Sequence, residues 1–210
     1  MTMQPLLRQP PGPRVTPLLR RADLLSQGHS DNRIRRALRA GALTSIAPGF
    51  YLSSIEFSGL EPVARHRALV WALVPGLAGD PVVSHLSAAV VHGLLTESDH
   101  TAALLPGPVH IIRAGPTKSR RGPLLQVHRA RLTPPEAVPI DGLALTAVPR
   151  TVLDCAFTLP FETAVDIARA ALTDGAVSEA ELTDQLTRQT RTPGMRRVSA
   201  VLRAAVSGPP

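Results

Sequence analysis

The sequence predicts an α+β fold from three observations. Helical periodicity dominates both ends of the chain, short β-like runs fall within residues 95–148, and Pro and Gly turn signals separate those runs. The chain has 210 residues, enough for one ordinary domain or two small ones. Hydrophobic residues are 44% of it and aromatics only 3%, so a core must be built from Ala, Leu and Val. That apolar content excludes a disordered chain, and the lone Cys155 excludes a disulfide scaffold. The apolar run 68–74 stops at Pro75, far short of the roughly 20 residues that cross a bilayer. The N-terminal residues lack the apolar stretch of a signal peptide. Together with the lone thiol, this predicts a cytoplasmic protein with no membrane partner.

The elements follow in order. Residues 1–14 are Pro-rich and aperiodic and read as a flexible tail. Leu18, Ala22 and Leu25, with Leu19 and Leu24 beside them, predict a helix over 18–27, stopped by Gly28. Ser30 suits the N-cap of a second helix over 31–40, closed by Gly41. Residues 42–53 turn extended, with Pro48-Gly49 as a tight turn and Phe50, Tyr51 and Leu52 as strand formers. Helices are predicted over 61–74, with Pro62 in the first turn, and over 84–94, ending near Gly93. Residues 109–113, 124–131 and 143–148 read as strands, and Asp141-Gly142 signals a hairpin. Helices return over 149–157 and 160–173, the second stopped by Gly175. Ser178-x-x-Glu181 is a capping box that opens another. Val198, Val201, Leu202 and Ala205 share one face of a last helix over 193–206.

Charge is uneven along this chain. The net charge is +7, and 22 of the 23 basic residues are Arg, Lys118 being the exception. Residues 1–55 hold eight Arg against two Asp, a balance of +6; residues 151–210 hold six Arg against seven acids. A basic head on a near-neutral body suits a polyanion, although an excess alone equally suits a solvated surface. On a helical projection of 31–40, Ile34, Ala37 and Leu38 fall on one side. Asn32, Arg36 and Arg39 fall opposite, flanked by Arg33 and Arg35. Such a face fits a DNA major groove, where Arg donates two bonds to guanine and Asn pairs with adenine. Arg also grips phosphate bidentately, and Ser30 with the first-turn amides can meet a phosphate at the helix N-terminus. The order helix, Gly turn, Arg-rich helix, hairpin is that of a winged helix-turn-helix.

Several segments resemble the AbiEi-type antitoxin family. Residues 21–28, Arg-Ala-Asp-Leu-Leu-Ser-Gln-Gly, look like its first helix and turn, and 31–41 like its second helix. Residues 43–51, ending Pro48-Gly49-Phe50-Tyr51, look like its wing, although Thr44-Ser45-Ile46-Ala47 is neutral where family wings are often basic. Residues 84–94 look like the family's Ser-His-x-Ser-Ala-Ala helix ending in His-Gly-Leu. Residues 141–146 followed by 149–154 look like its strand-to-helix joint. The matches span about residues 18–206. The resemblance implies a winged helix-turn-helix over 15–56 and a mixed α/β domain over 57–210, a short β-sheet flanked by helices. It implies a repressor of its own operon that binds double-stranded operator DNA and counteracts a nucleotidyltransferase-like toxin, with or without direct contact. The body would support a homodimer or cooperative binding on DNA. The DNA-binding residues expected are Arg20, Arg21, Ser30, Asn32, Arg33, Arg35, Arg36, Arg39, Thr44 and Ser45.

No catalytic constellation, metal site or cofactor is expected. The seven His lack zinc-ligand spacing; His85 and His92 would share a helix face, and His110 and His128 lie in β-like runs. Cys155 has no His near it in sequence and reads as a small buried hydrophobe. Arg150 and Asp154, four apart on a helix, are expected to pair. Some family relatives append a nuclease domain, but Lys118 has no carboxylate two residues before it. Two other readings remain open: a non-catalytic remnant of a nuclease-type relative, and a protein-interaction module with a basic face. Arg113, Lys118, Arg120, Arg121, Arg129 and Arg131 form a second basic stretch that either extends a DNA footprint or is a solvated hairpin.

Overall fold

The computed structural model describes residues 18–95, 103–115, 119–189 and 193–207. The expected tail over 1–14 and Lys118 lie outside the described residues. The described elements are mixed α+β. A short strand β1 (Leu19–Arg20) leads into α1 (Arg21–Ser26), α2 (Asp31–Arg39) and the hairpin β2 (Leu43–Ala47) and β3 (Phe50–Ser53). Then come α3 (Ser54–Ser58), α4 (Pro62–Leu73), β4 (Val82–Val83) and α5 (His85–His92). The strands β5 (Val109–Arg113), β6 (Arg120–Arg121), β7 (Leu125–Arg129), β8 (Ala137–Ile140) and β9 (Leu143–Thr146) follow. Helices α6 (Val148–Thr158), α7 (Phe161–Thr173), α8 (Glu179–Arg188) and α9 (Met195–Ser207) complete the described chain.

Two sheets organise these elements. The N-terminal one is antiparallel, in the order β1-β3-β2. The second has six strands in the order β6-β7-β5-β4-β9-β8, parallel at β5/β7 and β4/β9 and antiparallel elsewhere. Side chains alternate faces along each strand. Val109, Ile111 and Val127 therefore join Leu69, Val70 and Ala72 of α4 in one apolar cluster. His110, Ile112, Gln126 and His128 take the opposite face, with His110 beside Gln126 and Ile112 beside His128. Helices α5 to α9 bury a second cluster, including Leu86, Leu153, Ile167, Leu182 and Val201. Helix α5 serves both, Ala88 facing the first and Leu86, Ala89 and Val90 the second.

Local chemistry accounts for most boundaries. Asp141 and Gly142 both take positive φ, 46° and 80°, as a two-residue hairpin between β8 and β9 requires. Gly93 closes α5 in the left-handed conformation that a side chain disfavours. The capping box of α8 forms: the Ser178 amide and hydroxyl donate to Glu181 Oε2 at 2.8 and 2.7 Å.

Three sequence expectations need correction. Residues 18–20 are not helical, because Leu19 and Arg20 pair with Tyr51 and Phe50 on β3. The ladder outcompetes the helical spacing of a short segment. Strand 124–131 shortens to Leu125–Arg129, and strand 143–148 stops at Thr146, because Val148 and Pro149 already open α6. Ser84, the residue before α5, makes no side-chain capping bond, and its hydroxyl lies 2.9 Å from His85 Nδ1. Helix α3, at the expected boundary near residue 56, has no counterpart in the sequence reading.

Candidate nucleic-acid interface

Helix α2 is held from below and bare above. The Ser30 hydroxyl accepts from the Arg33 amide at 3.3 Å, fixing the start of the helix. Ile34 is 4% exposed, and Ala37 and Leu38 are half-buried against the neighbouring elements. Gly28 takes φ +86° in the preceding turn, which reverses the chain between α1 and α2. Asn32, Arg33, Arg35, Arg36 and Arg39 are all exposed.

The expected DNA-binding side chains divide by partner. Arg21 is committed to the protein: its Nε and Nη2 donate to the Asp31 carboxylate at 2.8 and 2.6 Å. That hydrogen-bonded pair raises the Arg21 pKa and lowers that of Asp31. Arg35 donates to Asn32 Oδ1 at 2.8 Å, so one amide-binding atom of Asn32 is engaged within the helix. Arg20 lies over the Phe50 ring, 5.7 Å from its centroid. Arg33, Arg36 and Arg39 make no side-chain hydrogen bond or ion pair among the described residues. Thr44 turns inward, its hydroxyl 2.8 Å from that of Ser54. Ser45 is exposed and donates weakly to its own strand at Ala47 O, 3.3 Å away.

The hairpin does not stand apart from the body. Ala47 is buried, and Leu18, Ile46 and Phe50 pack on the cluster that holds Leu69 and Val70 of α4. A bulge between Ser45 and Ala47 bends β2, and the Gly49 carbonyl accepts from the Arg21 amide at 2.8 Å. The arginine face of α2 is thus carried on a support continuous with the six-stranded domain.

Sequence reasoning missed two buried polar clusters. The first surrounds Arg150. Its Nε donates to Asp154 Oδ1 at 2.9 Å, the pair expected from their spacing. Its Nη1 donates to Glu136 Oε1 at 2.8 Å, which the sequence did not signal. Gln185 donates to the same oxygen at 2.7 Å, and the Thr133 amide and hydroxyl donate to Oε2 at 2.8 and 2.9 Å. Burial would raise the Glu136 carboxyl, but these hydrogen bonds, from Thr133, Arg150 and Gln185, hold it down at about 2. Asp154 goes the other way: burial raises it to about 6 despite Arg150, and its Oδ2 is buried without a hydrogen-bond partner. Arg150 lies between two unlike carboxyls, one richly bonded and one half-satisfied.

The second cluster joins three imidazoles. His128 Nε2 lies 3.0 Å from His110 Nδ1. His85 stacks on His128 with centroids 3.7 Å apart and planes 15° apart, while its Nδ1 is 4.0 Å from Asp154 Oδ2. His92 does not join; its Nε2 donates to the Thr146 carbonyl at 2.8 Å. Burial lowers all three cluster histidines, His110 to about 3 and His128 to about 4, so each is neutral near pH 7. Cys155 is fully buried, and burial pushes its thiol well up, in keeping with a packing role.

No family model matches the chain, and no curated protein matches it. Among solved structures it is similar to the Rv2827c protein of Mycobacterium tuberculosis, with 17% identity and a TM-score of 0.52. The likeness covers 90% of this chain and 72% of that one, and it concerns the fold. No described helix is long and apolar enough to cross a membrane.

Proposed function

We propose that this chain is a DNA-binding transcriptional regulator whose segment 18–53 works as a winged helix-turn-helix. The observation that carries the proposal is α2 itself. Its apolar face is buried at Ile34 while Arg33, Arg36 and Arg39 stand exposed with no protein partner among the described residues. Unneutralised arginines on one helical face repel one another, and a phosphate backbone relieves that repulsion. In this role Arg36 and Arg39 read base edges in the major groove and Arg33 lies toward the backbone. Arg35 and Asn32 act as a joined pair, the Asn32 amide nitrogen being left to donate. Ser45 is the hairpin side chain placed for a neutral contact. Arg21, paired with Asp31, and Thr44, bonded to Ser54, lie at the margin of this face and contribute less to the contact than the unpaired arginines. The resemblance to AbiEi-type antitoxins extends the proposal to repression of the chain's own operon and opposition to a nucleotidyltransferase-like toxin.

A gel-shift on the DNA upstream of its own gene, at two salt concentrations, tests this. The expected result is a retarded complex that outlasts competitor DNA at low salt and weakens steeply as salt rises. Equal affinity for upstream and unrelated duplexes would remove the regulator role. No binding to either would favour a basic face for an acidic protein partner.

A further inference from the structure

We propose that His85, His110 and His128 form a binding site for a borderline divalent metal ion of the Zn²⁺ type. Each residue brings one ligand atom, and the three atoms lie within 4.8 Å of one another. They come from three separate elements: the first residue of α5 and the adjacent parallel strands β5 and β7. Neutral imidazole suits Zn²⁺ and its neighbours, whereas Ca²⁺ and Mg²⁺ demand oxygen ligands. All three rings are held neutral by burial, the form in which a nitrogen lone pair is free to coordinate.

The surroundings also fit a metal centre. His85 takes φ +51°, a left-handed conformation that a non-glycine residue seldom adopts. Its ring stacks on His128, centroids 3.7 Å apart, and lies 5.6 Å from that of His110. Its Nδ1 faces the Ser84 hydroxyl at 2.9 Å and the unpartnered Asp154 Oδ2 at 4.0 Å, which leaves Nε2 as the ligand. An outer hydrogen bond at the far nitrogen orients a ligating histidine, here from Ser84, while the Asp154 carboxylate lies nearby at 4.0 Å. The charged groups acting on the cluster are Asp154, Arg150 and Arg121. Arg150 is compensated by its two carboxylates.

His110 Nδ1 and His128 Nε2, 3.0 Å apart, share one proton. Two nitrogens on a tetrahedral Zn²⁺ stand about 3.3 Å apart at the usual bond length, so an ion replaces that proton after a small opening. The ion must also splay the His85–His128 stack, because parallel rings do not aim their lone pairs at one point. Three protein nitrogens leave a fourth position for water. The sequence expectation of no metal rested on spacing along the chain, and the three ligands are brought together only by the sheet order.

The test uses the untagged full chain, stripped with chelator and titrated with Co²⁺ and then Zn²⁺. The expected result is one Co²⁺ per chain with the visible absorption of a four-coordinate site, displaced by Zn²⁺. His110→Gln with His128→Gln should weaken uptake more than about 100-fold, beyond the 10–100-fold loss typical of an outer hydrogen-bond partner. His29→Ala, outside the cluster, should leave it unchanged. If the double variant does not fold, His128→Ala alone decides, since that half-buried ring supports less of the core. Absence of saturable uptake by folded wild-type protein, or equal uptake by a folded cluster variant, overturns the proposal.

Discussion

The arginines of α2 and the single Arg150 of α6 occupy opposite environments. Arg33, Arg36 and Arg39 are exposed and make no charged contact among the described residues. Arg150 is 7% exposed and bonded to Glu136 and Asp154 at 2.8 and 2.9 Å. The same side chain thus serves two purposes. Where its charge is cancelled inside the protein it braces the fold, here tying the Thr133–Glu136 loop to α6 and, through Gln185, to α8. Where it is left uncancelled at the surface, as at Arg33, Arg36 and Arg39, the proposed function assigns it to an anion from outside.

The sharpest break in this comparison is Arg150→Ala. Removing one partner of a buried ion pair leaves Glu136 and Asp154 without compensation and costs about 3–5 kcal/mol. Chemical denaturation should show that loss, and DNA affinity measured on the folded fraction should stay near wild type. A drop in affinity with unchanged stability would reverse the assignment.

Acid should act next, and on the body rather than on the head. Burial holds His66 at about 4, His110 at about 3 and His128 at about 4, against an ordinary value of 6.5. The unfolded chain therefore binds more protons below 6.5, and stability present above that pH is lost as pH falls toward 4. Asp154, raised from 3.8 to about 6, opposes this, since its contribution is lost as pH rises through the same window. One carboxyl is outnumbered by the histidines. Each proton of difference tilts stability by about 1.4 kcal/mol per pH unit. Denaturation midpoints should fall between pH 7.5 and pH 5; a flat or rising profile would mean the imidazoles are not held neutral.

Arg36→Ala sharpens the other half. It should reduce operator affinity by about 1–3 kcal/mol if Arg36 reads a guanine edge, and change stability by no more than about 0.5 kcal/mol. An even loss across all duplexes, with a flatter salt slope, would assign Arg36 to phosphate instead. Arg21→Ala should have the smallest effect. Its Asp31 partner is exposed, so any loss of thermal stability should disappear at high salt. A loss that survives high salt would mean the pair is more than a surface contact.

What was legible in the sequence follows the range of the interactions involved. The Ser30 cap, the Asp141-Gly142 hairpin and the Ser178–Glu181 capping box are local, and all three are present. So is the buried Ile34 opposite the arginines of α2. Interactions that depend on strand order were not legible. Residues 19–20 read as helical because their partner, β3, lies some thirty positions onward. Glu136 gave no sign of Arg150 or Gln185, and His85, His110 and His128 meet only because β4 and α5 lead into β5, with β7 beside it. The inward turn of Thr44 was hidden for a similar reason: Ser54 lies beyond the hairpin, past the strand that pairs with β2.

The central claim is that the uncancelled arginines of α2 are the DNA-reading surface. Its most direct test compares wild-type protein with the Arg36→Ala/Arg39→Ala double variant on the upstream duplex, across a salt series. The account predicts a steep fall of log affinity with log salt for wild type. It predicts weaker binding, reduced preference for the upstream sequence and a shallower slope for the double variant. Identical affinity and slope for the two folded proteins would contradict it.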